Sequence, residues 1–379
     1  MAVKFLNGDI LELCLGKPEL TCVAESATVS DALAVLRASG DGNVSVWACG
    51  GDGGGSCACV GKFCNADAVL FLCREENLAD PFKALESQVS DLLPAGPPIV
   101  RHLEPSASLM DAIDYILEGA QNLVIPIQNQ SPNKFPSQKY CWLTQEDIVR
   151  FLLNSVRAFS PVPTFTLDSL NIIDYDIITV PYREPASSAL DHFQLTLAEQ
   201  KSVALVDEEN RLIGEISPFA LSCLDETAAG AIMALSALEL MTYVECSRPP
   251  EDLVRLMRVK LRERGFDGMV EFIDEHLNSS SSSCCCSSSS SSSGEFSSDE
   301  DCGPRRIGRS CSPGRRLEAV ACRPGSSLVA VMIQALTHRV SCVWVVNEDY
   351  GVVGAVTLAG ILKVLGGKDG RSEDSLGMI

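Results

Sequence analysis

The sequence repeats itself, and this self-similarity restricts the fold more than any other feature of the chain. "TVSDALAVL" from Thr28 returns as "SLMDAIDYI" from Ser108, 80 residues later. Two further segments return at the same offset: those that begin at Val44 and Gly61 match those that begin at Val124 and Cys141. Three matches in one register indicate two copies of one supersecondary unit.

The second half of the chain contains the same pattern at another offset. "SSALDHFQLTL" from Ser187 matches "SLVAVMIQALT" from Ser327, 140 residues apart, and "SVALVDEENRLIGEIS" from Ser202 matches "CVWVVNEDYGVVGAVT" from Cys342 at the same distance. We number the units repeat 1 to repeat 4, each predicted as a helix, a strand, a turn, a strand and a second helix. This alternation of periodicities predicts an α/β fold in which sheets and helices pack together.

A segment that belongs to neither repeat separates repeat 3 from repeat 4. "DETAAGAIMALSALELMTYV" from Asp225 predicts a buried helix, and the segment from Glu251 predicts a helix broken near Gly265 and Gly268. The serine tract that follows, together with its charged flank, cannot bury enough apolar surface to offset chain entropy. We therefore predict that this tract is disordered.

The junction between the last strand and the last helix of repeat 2, "CWLTQEDIVRFLL", carries a candidate site. Thr144 stands where the helix begins, and Asp147 follows three residues later. One interpretation is an N-terminal cap, in which Thr144 accepts from a free backbone N–H and Asp147 favours the positive helix end. The other is a ligand site, in which the hydroxyl and the free N–H groups hold a phosphate while the carboxylate accepts from a ribose.

Composition excludes several classes of function. The formal net charge of −20 argues against binding to nucleic acid and to anionic membrane surfaces. No apolar stretch reaches the roughly 18 residues of a membrane span, and the acidic start of the chain predicts neither a signal nor a transit peptide. We expect a cytoplasmic protein, with the nucleus as the alternative.

The chain contains 17 cysteines, and most of them stand singly in apolar segments, as reduced core cysteines do. The closest group lies in "CGGDGGGSCACVGKFC", whose spacing matches no zinc pattern, so we predict a glycine-rich surface loop between strands there. No nucleophile–base pair, phosphate loop or metalloprotease motif is recognisable. We predict a protein that is not an enzyme and needs no metal.

Strand–turn–strand units that end in Gly-x-x-Ser/Thr-x-x-Asp and occur in tandem pairs resemble the cystathionine-β-synthase (CBS) domain. Four such units are similar to the plant CBS domain-containing proteins of the CBSX group, and more distantly to the gamma subunit of AMP-activated protein kinase. The resemblance implies two CBS pairs, or Bateman modules, that stack as a pseudo-dimer or a homodimer. The implied segments are a first pair at 13–155 (motifs at about 13–76 and 97–155), a third motif with its following helix at 170–244, a helical insertion at 245–277, a disordered linker at 278–316 and a fourth motif at 317–368.

In that family the Ser/Thr and Asp of the junction contact the phosphate and the ribose of an adenosine nucleotide. Repeat 2 keeps both as Thr144 and Asp147, although Cys141 replaces the usual glycine. Repeat 1 keeps Asp67 but has Cys64 in place of the hydroxyl residue. Repeats 3 and 4 keep the hydroxyl as Ser217 and Thr357, whereas Ala220 and Gly360 replace the acid. The resemblance implies AMP, ADP or ATP as a regulatory ligand.

Three hypotheses about function follow. The favoured one is a non-catalytic regulatory protein that senses an adenosine ligand and controls a partner, such as a kinase or a redox enzyme. The second is a scaffold for protein interactions whose nucleotide sites have degenerated, which the missing acids of repeats 3 and 4 favour. The third is a regulatory subunit like the kinase gamma subunit, which only the number of repeats supports.

Overall fold

The fold repeats one small α/β unit four times along the chain, which confirms the predicted class. The computed structural model describes residues 2–49, 57–94, 99–127, 139–246, 249–282 and 319–367. Each repeat begins with a strand of two to four residues that the sequence analysis did not predict, because so short a strand shows no periodicity. The remaining order within each repeat is a helix, two strands and a second helix.

The first half of the chain holds repeats 1 and 2. Repeat 1 runs from β1 to α4, and repeat 2 runs from β4 to α8. The elements are α1 (Ala2–Leu6), α2 (Leu11–Cys14), β1 (Cys22–Ala24), α3 (Val29–Ser39), β2 (Val44–Cys49), β3 (Cys57–Phe63), α4 (Asn65–Leu72), α5 (Glu75–Ala79), α6 (Pro81–Ala84), β4 (Val100–His102), α7 (Leu109–Leu117), β5 (Asn122–Ile127), β6 (Lys139–Thr144) and α8 (Gln145–Asn154).

The second half holds repeats 3 and 4 and the insertion between them. Repeat 3 runs from β7 to α11, and repeat 4 runs from β10 to α17. The elements are α9 (Leu167–Leu170), β7 (Ile178–Pro181), α10 (Leu190–Glu199), β8 (Val203–Val206), β9 (Leu212–Ile216), α11 (Pro218–Ser222), α12 (Ala228–Ala234), α13 (Ala237–Glu245), α14 (Glu251–Glu263), α15 (Asp267–Ser282), β10 (Ala321–Cys322), α16 (Leu328–His338), β11 (Cys342–Val346), β12 (Val352–Thr357) and α17 (Leu358–Leu365).

Each repeat forms its own three-stranded sheet, in which the first strand runs parallel and the third antiparallel to the middle strand. The strand pairing shows that the middle strands of repeats 1 and 2 match at an offset one residue shorter than the 80 residues found from the sequence. Val44 pairs with Phe63, while Leu123 pairs with Leu143, so Val44 corresponds to Leu123 and not to Val124. The cause is the first helix, because α7 ends at Leu117 whereas an offset of 80 from α3 would take it to 119.

The sheets meet in pairs. The sheets of repeats 1 and 2 face each other through aromatic side chains, with the rings of Trp47 and Tyr140 centred 4.9 Å apart. The Nε2 atom of His102 in β4 accepts a hydrogen bond at 3.0 Å from the backbone N–H of Cys59 in β3. The sheets of repeats 3 and 4 meet around the buried side chain of Trp344. The two sheet-to-sheet contacts therefore join repeat 1 to repeat 2, and repeat 3 to repeat 4.

The helices join the repeats in the other combination. Helix α4 of repeat 1 packs against α10 and α11 of repeat 3, and their side chains share one apolar core. Helix α8 of repeat 2 packs against α16 and α17 of repeat 4 within a second core, which also takes in α1 and α2. Sheet contacts and helix contacts together close a ring of four repeats within one chain.

The insertion after repeat 3 is helical and forms part of the first core. The single helix predicted from Asp225 is two helices, α12 and α13, because Ser236 begins a new helix with a capping box to Glu239. The predicted break before α15 is confirmed, with Gly265 at φ +79°. Helix α15 lies against repeat 1 so closely that a Cβ on Gly268 would stand 2.2 Å from the carbonyl oxygen of Ala79.

Helix α15 continues to Ser282, into the segment 278–316 that was predicted to be disordered. The rest of that segment, from residue 283, lies outside the described residues. No helix in the described part of the chain has both the length and the apolar character of a membrane span.

Among the described residues, one pair of cysteines forms a disulfide and most of the free thiols are buried, while Cys22 and Cys246 are exposed. Cys49 and Cys57 are a cross-strand pair of β2 and β3 and are joined by a disulfide, which the sequence analysis did not predict. The glycine-rich residues between them lie outside the described ranges, although the strands on both sides are as predicted. Within the described ranges no three His, Cys, Asp or Glu side chains are grouped as metal ligands would be.

Candidate functional site

The four repeats enclose one cavity of about 1190 Å³ at the centre of the ring. Its wall includes the strand–helix junctions of repeats 1, 2 and 3, and the turn after α16 of repeat 4. A ligand pocket for a small organic molecule typically measures about 300–1,000 Å³. The cavity is therefore large enough for a nucleotide.

Repeat 2 presents Thr144 to this cavity but not Asp147. Asp147 completes a capping box, because its Oδ2 accepts from the backbone N–H of Thr144 at 2.9 Å and from the Thr144 hydroxyl at 2.7 Å. The same Oδ2 is ion-paired with Lys17, whose ammonium also donates to the carbonyl oxygen of Trp142 at 2.8 Å. The cap interpretation accounts for the bonds between Asp147 and Thr144, and the ion pair with Lys17 holds the same carboxylate oxygen.

Repeat 1 presents its acid to the cavity. The Oδ2 atom of Asp67 accepts from the backbone N–H of Cys64 at 2.8 Å, and Asp67 lines the cavity wall. Burial raises the pKa of Asp67, although the bonds from Cys64 and the charge of Lys62 oppose that effect. Burial also raises the pKa of the Cys64 thiol to about 12, so this thiol is neutral at physiological pH.

Repeats 3 and 4 differ from each other. Ser217 lines the cavity and caps α11, accepting from the backbone N–H of Ala220 at 3.1 Å. Thr357 caps α17 in the same way, because it accepts from the backbone N–H of Gly360 at 3.0 Å. Thr357 does not line the cavity as the described residues define it. Of the five predicted site residues, the cavity thus brings together Thr144, Asp67 and Ser217 and leaves out Asp147 and Thr357.

A lysine that the sequence analysis missed links the junctions of repeats 1 and 2. The ammonium of Lys62 lies 3.4 Å from the Oδ1 atom of Asn122, and Asn122 pairs with Thr144 across β5 and β6. Lys62 is half-buried and lines the cavity. Burial lowers the pKa of Lys62, while the neighbouring Cys64 and Asp67 act in the opposite direction.

Other polar atoms of the wall lack a hydrogen-bond partner among the described residues. They include the buried Oδ1 of Asn43, just before β2, and the buried Oγ of Ser341, just before β11. Buried polar groups in native proteins are nearly always hydrogen-bonded. These two atoms are exceptions to that rule, and both are buried within the wall.

On the other side of the ring, the wall carries a buried carboxylate. Glu215 of β9 is 3% exposed, and its Oε2 accepts from the Nε1–H of Trp344 at 2.7 Å. Burial raises the pKa of Glu215 to about 7, against the smaller opposing effect of the Trp344 hydrogen bond. The sequence does hold a signal for Lys62 and Glu215. Each is a charged residue in an otherwise apolar strand, two positions before the residue that caps the following helix.

The comparisons with known proteins agree with this architecture. The family model described as CBS domain matches residues 315–367, which contain repeat 4. The CBS domain-containing protein CBSX5 of Arabidopsis thaliana is 42% identical over 395 residues, which cover 96% of this chain and 98% of that protein. The chain belongs to the CBSX group of CBS domain-containing proteins. The four repeats of this CBSX protein are accordingly CBS motifs, arranged as two CBS pairs.

More distant relatives connect the CBSX protein with kinase gamma subunits. The SNF1-related protein kinase regulatory subunit gamma-like PV42b of Arabidopsis thaliana is 22% identical and covers 96% of this chain and 95% of its own length. Among solved structures, a protein of Methanocaldococcus jannaschii described as a proposed archaeal homolog of g-AMPK superposes with a TM-score of 0.55 at 16% identity. That structure matches 94% of this chain and 99% of its own, and it supports the fold alone.

Proposed function

We propose that this CBSX protein is a non-catalytic regulator that binds an adenosine nucleotide, of the AMP, ADP or ATP type, in its central cavity. The observation that carries the proposal is the convergence of three strand–helix junctions and the Lys62 ammonium on one cavity of nucleotide size. Binding of the nucleotide changes how the protein contacts a partner protein.

The phosphate of the ligand lies between repeats 1 and 2. Lys62 and Thr144 approach each other there through Asn122. Helix α8 begins at Gln145, which lines the cavity. A lysine ammonium and a helix N-terminus together favour an anion, and the phosphate in turn would stabilise the charged form of Lys62.

The ribose acceptor on this wall is Asp67. Its capping bond occupies Oδ2, so its other carboxylate oxygen is the one that would accept from a ribose hydroxyl. Ser217 supplies a further hydroxyl on the same wall. Asp147 and Thr357 act as caps, and binding in this cavity does not require them.

The partner we propose is a protein kinase, because PV42b is called a kinase regulatory subunit, gamma-like. A redox enzyme is the alternative class of partner. We also propose that the ring of four repeats is the working unit, so that a homodimer is not required for the site. Co-purification from native tissue with a kinase catalytic chain supports the first class, and co-purification with a thiol-dependent oxidoreductase supports the second.

A scaffold without a nucleotide is the second candidate function. One observation favours it: Lys17 and Thr144 satisfy Asp147 without any ligand. Mass spectrometry of small molecules released from gently purified protein, followed by calorimetric titration with AMP, ADP and ATP, separates the two functions. Release of a stoichiometric adenosine nucleotide supports the sensor. No released nucleotide, and no heat at millimolar nucleotide, supports the scaffold.

A further inference from the structure

Glu215 is a buried carboxylate that the proposed phosphate and ribose contacts do not use. It lies on β9, and its side chain is on one face of this strand. Ile216 and Gly214 lie on the opposite face, which packs against the helical core. Its own side chain lies between the sheets of repeats 3 and 4, beside Trp344, where it borders the cavity.

The surroundings of Glu215 leave its charge without a cation. Within the described residues no Lys, Arg or His nitrogen lies within 4.0 Å of its carboxylate. The titratable group that faces it from β11 is the Cys342 thiol, whose pKa burial raises to about 12. Trp344 contributes one neutral donor. An uncompensated buried carboxylate of this kind takes up a proton more readily than an exposed one.

Glu215 and Lys62 occupy corresponding positions in the two CBS pairs. Each stands two residues before the capping residue of its repeat, Cys64 in repeat 1 and Ser217 in repeat 3. Each reaches across to the neighbouring repeat of its pair, Lys62 to Asn122 and Glu215 to Trp344. One cavity is thus bordered by a cation from one pair and a buried carboxyl group from the other. A ligand that uses both must present an anion to Lys62 and N–H groups to Glu215.

On the basis of the nucleotide binding proposed above, we infer that the carboxyl group of Glu215 pairs with the amino-bearing edge of the adenine ring and so selects adenine over hypoxanthine. The phosphate contacts Lys62 in the first CBS pair, and the base reaches Glu215 in the second. The nucleotide therefore bridges the two pairs.

The pairing uses the neutral form of the acid. Oε2, which already accepts from Trp344, also accepts from the exocyclic N–H of adenine, while the protonated Oε1 donates to ring nitrogen N1. Hypoxanthine carries an oxygen in place of the amine and a hydrogen on N1, so a matched pair would need the acid proton on Oε2, where it weakens acceptance from Trp344. Because the pKa of Glu215 is about 7, adenine binding weakens as the pH rises through neutrality and the acid ionises.

The test compares AMP with IMP, which differ only in this edge of the base. The ratio of their dissociation constants, measured by calorimetry on the full chain at pH 6 and pH 8.5, cancels the titration of the phosphate and of Lys62. We expect AMP to bind roughly tenfold more tightly than IMP at pH 6, as two matched hydrogen bonds allow, and this preference to shrink at pH 8.5. Glu215→Gln keeps an acceptor toward Trp344 and a donor toward N1 at every pH, so it should retain the AMP preference and lose most of its pH dependence.

A second variant guards against misfolding of the first. Trp344→Phe removes the donor that stabilises the ionised acid, so the pH at which the AMP preference declines should move upward. An AMP-to-IMP ratio that is the same at both pH values in the wild-type protein overturns the role of Glu215 and leaves nucleotide binding in place. Absence of binding of both AMP and IMP overturns the proposed function as well.

Discussion

Lys17, which precedes repeat 1, is ion-paired with Asp147 at the start of the last helix of repeat 2. The side chains are 19% and 33% exposed, so water screens this pair only in part. The same ammonium donates to the carbonyl oxygen of Trp142. The segment before repeat 1 is thereby attached to the junction for which the sequence allowed both a helix cap and a ligand site.

The Lys17 contact should contribute to stability. We expect Lys17→Met to lower the free energy of unfolding by about 1–3 kcal/mol, because it removes hydrogen bonds to a charged group and to a carbonyl oxygen. The matched control is Lys139→Met, whose ion pair with Glu19 is 41% and 51% exposed and should contribute at most about 1 kcal/mol. Urea unfolding curves measure both. Equal losses for the two variants would show that Lys17 has no special role.

Thr144 is both a cap and a wall residue, and the two roles can be separated. Thr144→Val should cost about 0.5–2 kcal/mol of stability as a lost cap, and should also weaken AMP binding several-fold. Ser236→Ala removes a comparable capping box, on α13 and away from the cavity wall, so it should cost similar stability and leave AMP binding unchanged. Thermal melting and calorimetry give the two readouts. If both variants bind AMP like the wild type, Thr144 is a cap alone.

Glu215 predicts a specific dependence of stability on pH. Its pKa rises from 4.5 in the unfolded chain to about 7 in the folded protein, so the unfolded chain releases its proton first as the pH increases. The free energy of unfolding should therefore fall between pH 4.5 and 7, and the titration of this group should change it no further above pH 7. Glu215→Gln lacks this loss, so its stability relative to the wild type should rise by up to about 3 kcal/mol across that range.

Glu239 provides the contrast in sign. Hydrogen bonds from Ser236 lower the pKa of Glu239, so this carboxylate adds stability above its unfolded pKa and loses it as the pH falls. The advantage of the wild type over Glu239→Gln should therefore grow only as the pH rises toward 4.5 and stay constant between pH 5 and pH 8, the range in which Glu215→Gln gains on the wild type. Denaturation at pH 5 and pH 8 decides the matter, and parallel pH curves for wild type and Glu215→Gln would rule out a raised pKa.

The glycine of each junction is explained by what packs against it. A Cβ on Gly354 would lie 2.7 Å from the carbonyl oxygen of Asp174, which is held by its hydrogen bond from the backbone N–H of Ala355. A Cβ on Gly61 would meet only the flexible end of Leu93, at 2.6 Å. Gly354→Ala should therefore cost more stability than Gly61→Ala, on the order of 1–3 kcal/mol against less than about 1. Chemical denaturation compares the two, and the reverse order would contradict this explanation.

The same position shows why repeat 2 can depart from the pattern. There Cys141 replaces the glycine, and its thiol contacts the thiol of Cys14 on α2 within the second core. A side chain is tolerated because α2, and not a backbone segment in close contact, covers this position. The sequence contains both cysteines but does not reveal that they meet, because they are far apart in the chain.

Much of the fold could be predicted from the sequence because it depends on local patterns. The helices that begin at Thr28 and Ser108, the strands that follow them and the capping residues all show in hydrophobic period and residue type. The first strands could not be predicted, since Ala321–Cys322 and its counterparts form only by pairing with a later strand. The one-residue shift between repeats 1 and 2 needed the strand register, which a sequence offset does not supply.

The candidate site was predicted only in part, for a related reason. Local sequence identified Thr144, Asp67 and Ser217, but which junctions share a cavity depends on how the repeats pack. Asp147 does not line that cavity and is paired with Lys17, a contact that spans 130 residues. Lys62 and Glu215 were missed because each acquires its meaning from a side chain of the neighbouring repeat.

The most direct test of nucleotide binding in the central cavity is calorimetric titration of AMP into Lys62→Met and Lys83→Met. Lys62 borders the cavity, whereas Lys83 is exposed on α6, and each variant loses one positive charge. We predict that the wild type and Lys83→Met bind one AMP per chain with equal affinity, and that Lys62→Met binds at least about tenfold more weakly, as expected for a lost charge-assisted hydrogen bond. The folded stability of Lys62→Met should not fall, because a partly buried ammonium is costly to keep. Equal AMP affinities for all three proteins, or no binding of AMP to the wild type at millimolar concentration, would contradict the account.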